Sequence, residues 1–229
     1  VEKIIYFWRT TARMVIIKKN DFIMIDFIAK SKSDNKAFDV TSVAEAKQVG
    51  LFAEGQQYGS RIICVGQGHI IKGVDDAFVG CEPGKSYEME VKAENAFGKK
   101  DANMVKVVSA AILKKQGINP FPGLQLNATG MFALVRSVNG GRVLLDYNHP
   151  LAGKDVVYLV KIHEIIHDNE KKLSALVDNI LHAPSGELTV RCEGTKCALQ
   201  SKQKIPQEVQ ELFLKQVQAC IPGLECTFA

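Results

Sequence analysis

The segment Gly68-His69-Ile70-Ile71-Lys72-Gly73-Val74-Asp75-Asp76-Ala77-Phe78-Val79-Gly80 is the best point of entry into this chain. Its apolar residues fall at 70, 71, 74, 77 and 78, which is the spacing of one helix face, and the run stops at Gly80 and Pro83. A short helix over 70–79 is predicted. The flanks read as strands. Phe22–Ala29 (FIMIDFIA) is rich in β-branched and aromatic residues, Ala37–Val40 follows a polar turn, and Tyr87–Ala93 (YEMEVKA) alternates. Glycines at 55, 59, 66, 68 and 73 make the approach to the helix loop-rich, and Val43–Gln48 reads as one short helical turn.

Beyond Lys99 the style of the sequence changes. Val105–Val108 reads as a strand, Ala110–Gln116 as a short helix, and Asn119–Gly123 (NPFPG) as a rigid loop. The runs 130–138 and 142–146 flank Asn139-Gly140-Gly141, a strong hairpin signal. Val156–Ile166 (VVYLVKIHEII) is strand-like throughout. After Asp168 a small α+β unit is expected. Leu173–His182 is a strand or a short helix, and 187–192 and Cys197–Gln200 are strands. Pro206 opens a helix with Val209, Leu212, Phe213, Val217 and Cys220 on one face, and Leu224–Phe228 is the last strand.

Composition narrows the function. Of 229 residues 46% are hydrophobic and 24% charged, which excludes disorder, collagen and a pure coiled coil. A net charge of +4 is too mild to argue for nucleic acid. No apolar run approaches the roughly 20 residues that span a bilayer. Residues 1–13 have an apolar patch at Ile4–Trp8, too short for a signal-peptide core, and are expected to be an N-terminal extension. A cytoplasmic protein with neither nucleic acid nor membrane as partner is the expectation.

Three patterns invite misreading. His163-Glu164-Ile165-Ile166-His167 matches H-E-x-x-H, whose histidines share a zinc ion when they lie on a helix. Here the preceding VVYLVKI is a strand, and in a strand the two histidines stand about 13 Å apart, too far for one metal. Asn127-Ala128-Thr129 is a glycosylation sequon that carries little meaning without a secretory signal. Gly66-x-Gly68 lacks the βαβ context of a dinucleotide site. Of the six cysteines, Cys64 and Cys81 stand alone, whereas Cys192, Cys197, Cys220 and Cys226 crowd the last stretch. Buried thiols, disulfides and zinc all remain open for these four, although C-x4-C and C-x5-C match no common zinc pattern.

Several separated segments, taken in order, resemble the FK506-binding-protein (FKBP) prolyl isomerases of the SlyD-like and long archaeal type. They are Phe27 within IDFIA, Phe38-Asp39, Gly68–Asp75, Ala96-Phe97-Gly98, Asp146-Tyr147-Asn148-His149-Pro150-Leu151-Ala152-Gly153 and Tyr158. The resemblance covers about residues 14–168, and the D-x-N-H-P-L-A-G stretch is its most specific piece. It implies an α+β fold: a curved antiparallel sheet around one short helix, with an inserted mainly-β domain and a small C-terminal α+β domain. The implied boundaries are 14–98 plus 146–168 for the isomerase domain, 99–145 for an insert-in-flap domain and 170–229 for the C-terminal domain.

The resemblance also implies the chemistry. Phe27, Phe38, Ile70, Ile71, Val74, Phe97 and Tyr158 would line a proline pocket. Asp39 would be the polar group beside the twisting amide, and the Ile71 backbone N–H would hold a substrate carbonyl. Prolyl isomerisation of unfolded or partly folded polypeptides, with chaperone activity and with no cofactor or metal, is the implied function. The insert is rich in apolar residues (Ile112, Leu113, Ile118, Phe121, Leu124, Leu126, Met131, Phe132 and Leu134), enough for a small core plus an exposed patch. A homodimer through the apolar helix face of the C-terminal domain is a further expectation. Two departures from the family pattern stand out. Phe97 lacks the hydroxyl that a tyrosine usually supplies there, which costs about 1 kcal/mol of binding, and Val74 is a small floor. Both favour the alternative reading, an FKBP-like chaperone module with little isomerase activity.

Overall fold

Strand alternation is the simplest link from this sequence to its structure. In FIMIDFIA the residues Ile23, Ile25, Phe27 and Ala29 all turn into the interior, as a period of two requires. A computed structural model of the chain describes residues 15–128, 131–181 and 188–228. Residues 1–13, Thr129 of the sequon, Gly130, His182 and Glu187 lie outside the described residues.

The elements follow in chain order. They are β1 (Phe22–Ser31), β2 (Ala37–Val40), α1 (Val43–Val49), β3 (Arg61–Cys64), α2 (Lys72–Ala77) and β4 (Ser86–Val91). Next come β5 (Val105–Ser109), α3 (Ala110–Lys115), β6 (Gln125–Ala128), β7 (Met131–Asn139), β8 (Arg142–Asp146) and β9 (Val156–Ile166). The last are α4 (Asn169–Leu176), β10 (Leu188–Glu193), β11 (Lys196–Ser201), α5 (Gln207–Cys220) and β12 (Glu225–Phe228). The fold is mixed α+β, with largely antiparallel sheets and few helices. No helix among the described residues is long and apolar enough to cross a membrane.

The described residues divide into two compact units. One holds the residues through Ala29, Ala37–Met89 and everything from Tyr158 onward; the other holds Lys30–Lys36 and Glu90–Val157. A five-stranded sheet has the order β2-β1-β9-β4, with β3 also pairing antiparallel to β1 from Phe22↔Cys64 to Ile25↔Arg61. β3 went unread in the sequence because it is only four residues long and sits among glycines.

The helix predicted over 70–79 is shorter, Lys72–Ala77. Ile71 is its N-cap, and its carbonyl accepts the N–H groups of Val74 and Asp75, both at 3.0 Å. Ile70 and Ile71 therefore precede the helix. The cause lies in Asp75, which is 4% exposed. Its carboxylate accepts the backbone N–H groups of Gly66 and Gly68, each at 2.8 Å. Those glycines have φ of 81° and 74°, the left-handed region that favours glycine. The G-x-G thus bends a loop around the protein's own carboxylate.

The C-terminal residues belong to the first unit. The Asp168 side chain caps α4 by accepting the Lys171 N–H, which decides for a helix the segment whose sequence read as either strand or helix. The small sheet runs β10-β11-β12. β11 and β12 are parallel, so α5 serves as the crossover between them. Phe213, Val217 and Cys220 of α5 pack in one core with Leu173, Leu176, Leu199 and Leu224, and with Phe22, Cys64 and Ile166. Val209 and Leu212, assigned to that face from spacing, are exposed instead, Leu212 at 63%. They fall on the flank of the helix stripe that the core does not reach.

The second unit centres on a four-stranded sheet of order β5-β8-β7-β6, with Leu113, Leu126, Ala133, Val135, Val143 and Leu145 as its core. Its hairpin turns at Gly140 and Gly141, as the sequence predicts.

The Asp75 hydrogen bonds generate a prediction. Asp75→Ala leaves two loop N–H groups without their partner and should lower the unfolding free energy by about 2–4 kcal/mol. Urea denaturation measures this, and an unchanged midpoint would separate the carboxylate from the stability of the loop.

Candidate active site

The strand order β2-β1-β9 places Phe38, Phe27 and Tyr158 on three neighbouring strands. Their rings meet. The Phe27 and Tyr158 centroids are 5.4 Å apart and tilted, and Phe38 meets Tyr158 edge-on at 6.1 Å. These are favourable aromatic geometries. Phe27 and Tyr158 are buried, while Phe38 and Asp39 are half-buried.

Arg61 of β3 completes this cluster and was not foreseen. Its guanidinium lies 5.2 Å from the Phe27 centroid, a cation–π contact. The same group points its two terminal nitrogens at the two carboxylate oxygens of Asp39, 3.3 and 3.4 Å away. The available sequence signal was a single cation opening the otherwise apolar run Arg61–Cys64. Burial pushes the Tyr158 phenol above its ordinary pKa, the negative charge of Asp39 adds to the shift, and Arg61 opposes it. The Tyr158 hydroxyl therefore stays protonated through the neutral range and remains a hydrogen-bond donor.

Ile70, Ile71 and Val74 belong to the same unit as these aromatics. Val74 is fully buried on α2, and the two isoleucines are half-buried just before it. The stretch before them is anchored twice, because Asp75 holds the Gly66–Gly68 loop and His69, their N-terminal neighbour, is itself tied down. The His69 Nδ1 accepts the Cys64 N–H at 3.1 Å. His69 also hydrogen-bonds Cys220, whose thiol in turn shares a hydrogen bond with Cys64. The bonds from Cys64 and His69 draw the Cys220 pKa down, while its neighbour Cys220, together with burial, drives Cys64 up.

Phe97 lies in the second unit. Its ring stacks flat on His149, with centroids 4.6 Å apart and planes within 2°. His149 belongs to the D-x-N-H-P-L-A-G stretch, and its Nδ1 accepts the Leu151 N–H. At the start of that stretch Asp146 is buried. Its Oδ2 receives two nitrogens of Arg136, at 2.9 and 2.8 Å, and its Oδ1 receives the backbone and side-chain N–H groups of Asn148, at 2.9 and 2.8 Å. Burial alone would raise its pKa, but these bonds outweigh it and hold the carboxyl at about 2.

His163 is placed by the strand that the sequence predicts. It sits within β9, and its Nε2 lies 2.7 Å from Oδ2 of Asp26 on β1. Burial raises the Asp26 pKa, but hydrogen bonds from His163, Ser60 and Thr41 lower it further and leave it below its ordinary value. Among the described residues no group of three or more His, Cys, Asp or Glu side chains is placed to hold a metal ion.

The profile of the FKBP-type peptidyl-prolyl cis-trans isomerase family matches residues 15–114, the region that carries Phe27, Phe38, Asp39, Ile70, Ile71, Val74 and Phe97. Over residues 15–114 the chain is that of an FKBP-type peptidyl-prolyl cis–trans isomerase. A second profile, described as FKBP26, IF domain, matches residues 106–151. A short-type peptidyl-prolyl cis-trans isomerase of Methanocaldococcus jannaschii is 27% identical over 150 residues, spanning 66% of this chain and 94% of that protein. A probable FKBP-type 16 kDa peptidyl-prolyl cis-trans isomerase of Pseudomonas fluorescens is 26% identical over 104 residues, 44% of this chain and 69% of that one. The SlyD isomerase of Escherichia coli is 28% identical over 120 residues, 48% and 57% of the two chains. The isomerase is therefore SlyD-like, and residues beyond 151 lie outside both profiles.

Two measurements follow from this geometry. Arg61→Ala should lower kcat/KM on a short X-Pro peptide about tenfold, a loss of about 1.4 kcal/mol, with Arg61→Lys intermediate. An Arg61→Ala enzyme as fast as its parent would remove Arg61 from the site. Asp146 has a folded pKa of about 2 against an ordinary 3.8, so it stabilises the fold above pH 3.8. That contribution is lost as the pH falls towards 2. Thermal unfolding followed from pH 5 to pH 2 should show the loss, and Asp146→Asn should flatten it.

Proposed function

We propose that Phe27, Phe38, Ile70, Ile71, Val74 and Tyr158 are the walls and floor of the proline-ring site of this isomerase. Asp39 is the polar group beside the twisting amide. The observation that carries this reading is the aromatic trio with the Arg61–Asp39 pair at its edge. Rotation about an X-Pro bond has a barrier of about 18–20 kcal/mol, set by amide resonance, and needs no covalent intermediate. The twisted amide has less charge separation than the planar one, so a dry aromatic site favours it. Arg61 holds Asp39 in one orientation, so the carboxylate does not have to reorganise as the amide turns. The Ile71 N–H, ahead of the first turn of α2, would take a substrate carbonyl. No cofactor enters this chemistry.

The substrates would be unfolded or partly folded polypeptides containing proline. Residues 99–145 would act as an insert-in-flap domain that holds them while 14–98 plus 146–168 catalyse. Support comes from side chains that the small core leaves outside: Ile112 and Phe121 are each 57% exposed and Phe132 69%. Phe132 also lines a cleft of about 740 Å³ with Met104, Tyr147, His149 and Pro150. An adaptable methionine beside aromatic surface suits varied apolar side chains. Residues 170–229 would form the third domain. A homodimer through it would have to use Leu212 and Val209, since the rest of the α5 apolar face is already covered.

The test uses one short X-Pro peptide and one unfolded protein client. Asp39→Ala should slow the peptide reaction at least tenfold. A Phe121→Ser, Phe132→Ser double variant should keep the peptide rate and lose most of its ability to suppress client aggregation. If the intact chain suppresses aggregation but fails to speed the peptide, the binding-module reading replaces this one.

A further inference from the structure

The C-terminal sheet places three cysteines side by side. β11 is its middle strand, and Cys197 on β11 is in register with Cys192 on β10 and with Cys226 on β12. In-register neighbours present their side chains to the same face of a sheet. Burial agrees, because Cys197 is in the core and Cys192 and Cys226 are both partly buried against that core. Cys192 and Cys197 are joined by a disulfide, and Cys226 is a free thiol. The bonded Cys192 and Cys197 are 4.1 Å apart at Cα, and on the other side the ordinary strand spacing of about 4.7–4.9 Å falls inside the Cα separation of about 4.4–6.8 Å that disulfides accept. The central sulfur thus has a partner within bridging reach on each side.

We propose that Cys197 is the shared member of two mutually exclusive disulfides, Cys192–Cys197 and Cys197–Cys226, and that they interconvert by exchange within the chain. The Cys226 thiolate attacks the Cys197 sulfur in line with the existing bond. The Cys197–Cys226 bond forms, the Cys192–Cys197 bond breaks, and Cys192 leaves as a thiolate that takes up the proton Cys226 gave away. One disulfide and one thiol are present before and after, so no oxidant or reductant is consumed. Burial pushes the Cys226 thiol up, so most of it is stored in the unreactive protonated form.

The two bonds do different work. The first closes a hairpin whose ends are five residues apart in sequence. The second closes a loop of about thirty residues that contains α5 and ties down the edge strand β12. By chain entropy the longer loop favours the folded state about tenfold more. The exchange is therefore a stability switch for the C-terminal sheet that leaves the oxidation state of the chain unchanged.

The experiment equilibrates the full chain in a glutathione redox buffer at pH 8.5, quenches with acid, alkylates free thiols and maps the linkages by mass spectrometry without reduction. Two populations are expected: Cys192–Cys197 with alkylated Cys226, and Cys197–Cys226 with alkylated Cys192. Cys226→Ser should retain only the first, and Cys192→Ser, folded by circular dichroism, should form only the second. Finding Cys192–Cys197 alone in the intact chain overturns the exchange, whatever Cys192→Ser does. A folded Cys192→Ser variant in which Cys197 and Cys226 remain unlinked also overturns it. Should that variant fail to fold, the intact chain decides.

Discussion

A single buried carboxylate sets the geometry on which the candidate site depends. Asp75 has almost no access to water, and an ionised group there is tolerable only if its oxygens are satisfied. Gly66 and Gly68 satisfy them, and only residues at ease with positive φ can turn both N–H groups inward over so short a stretch. The loop is therefore wrapped around the first turn of α2, and Ile70 and Ile71 are held at its mouth. His69 adds the second anchor through Cys64. Two apolar side chains of the candidate site are thus positioned by polar contacts of their neighbours.

The aromatic trio answers to a different constraint. Phe27 and Tyr158 owe their meeting to the pairing of β1 with β9, strands that begin more than 130 residues apart in sequence. Packing of this kind is non-directional and forgiving. The Arg61–Asp39 pair is not, since a forked guanidinium fixes the carboxylate in both position and rotation. A site for a reaction without nucleophile or proton transfer needs this combination: surfaces that exclude water, and one polar group that is already oriented.

Much of this was legible in the residues. β-Branched and aromatic runs placed β1 and β9, alternation placed β4, the Asn-Gly-Gly signal placed the β7–β8 turn, and the β-branched run before His163 correctly denied it a helix. What stayed hidden shares one physical character, namely polar contacts between residues distant in sequence. Arg61 as a partner of Asp39, Asp75 as the anchor of two glycines and His69 as a link to Cys64 and Cys220 have no local pattern, because the partners become neighbours only after the sheet forms. The overlong reading of α2 has the same origin, since spacing alone could not reveal that the loop would claim its first residues. Val209 and Leu212 show the converse limit: periodicity gives a stripe, and the tertiary core decides how much of the stripe it covers.

The interior shared by Phe22, Cys64 and Ile166 with Leu173, Phe213 and Val217 has a practical bearing on dissecting the gene. A stop codon placed after the last residue of β9 looks like a natural cut for isolating a minimal catalytic fragment. It would instead strip the covering from one side of the five-stranded sheet and leave a sticky apolar scar open to solvent. A soluble miniature enzyme would need polar replacements at those three positions, so the terminal sixty residues work as a lid as much as an appendage.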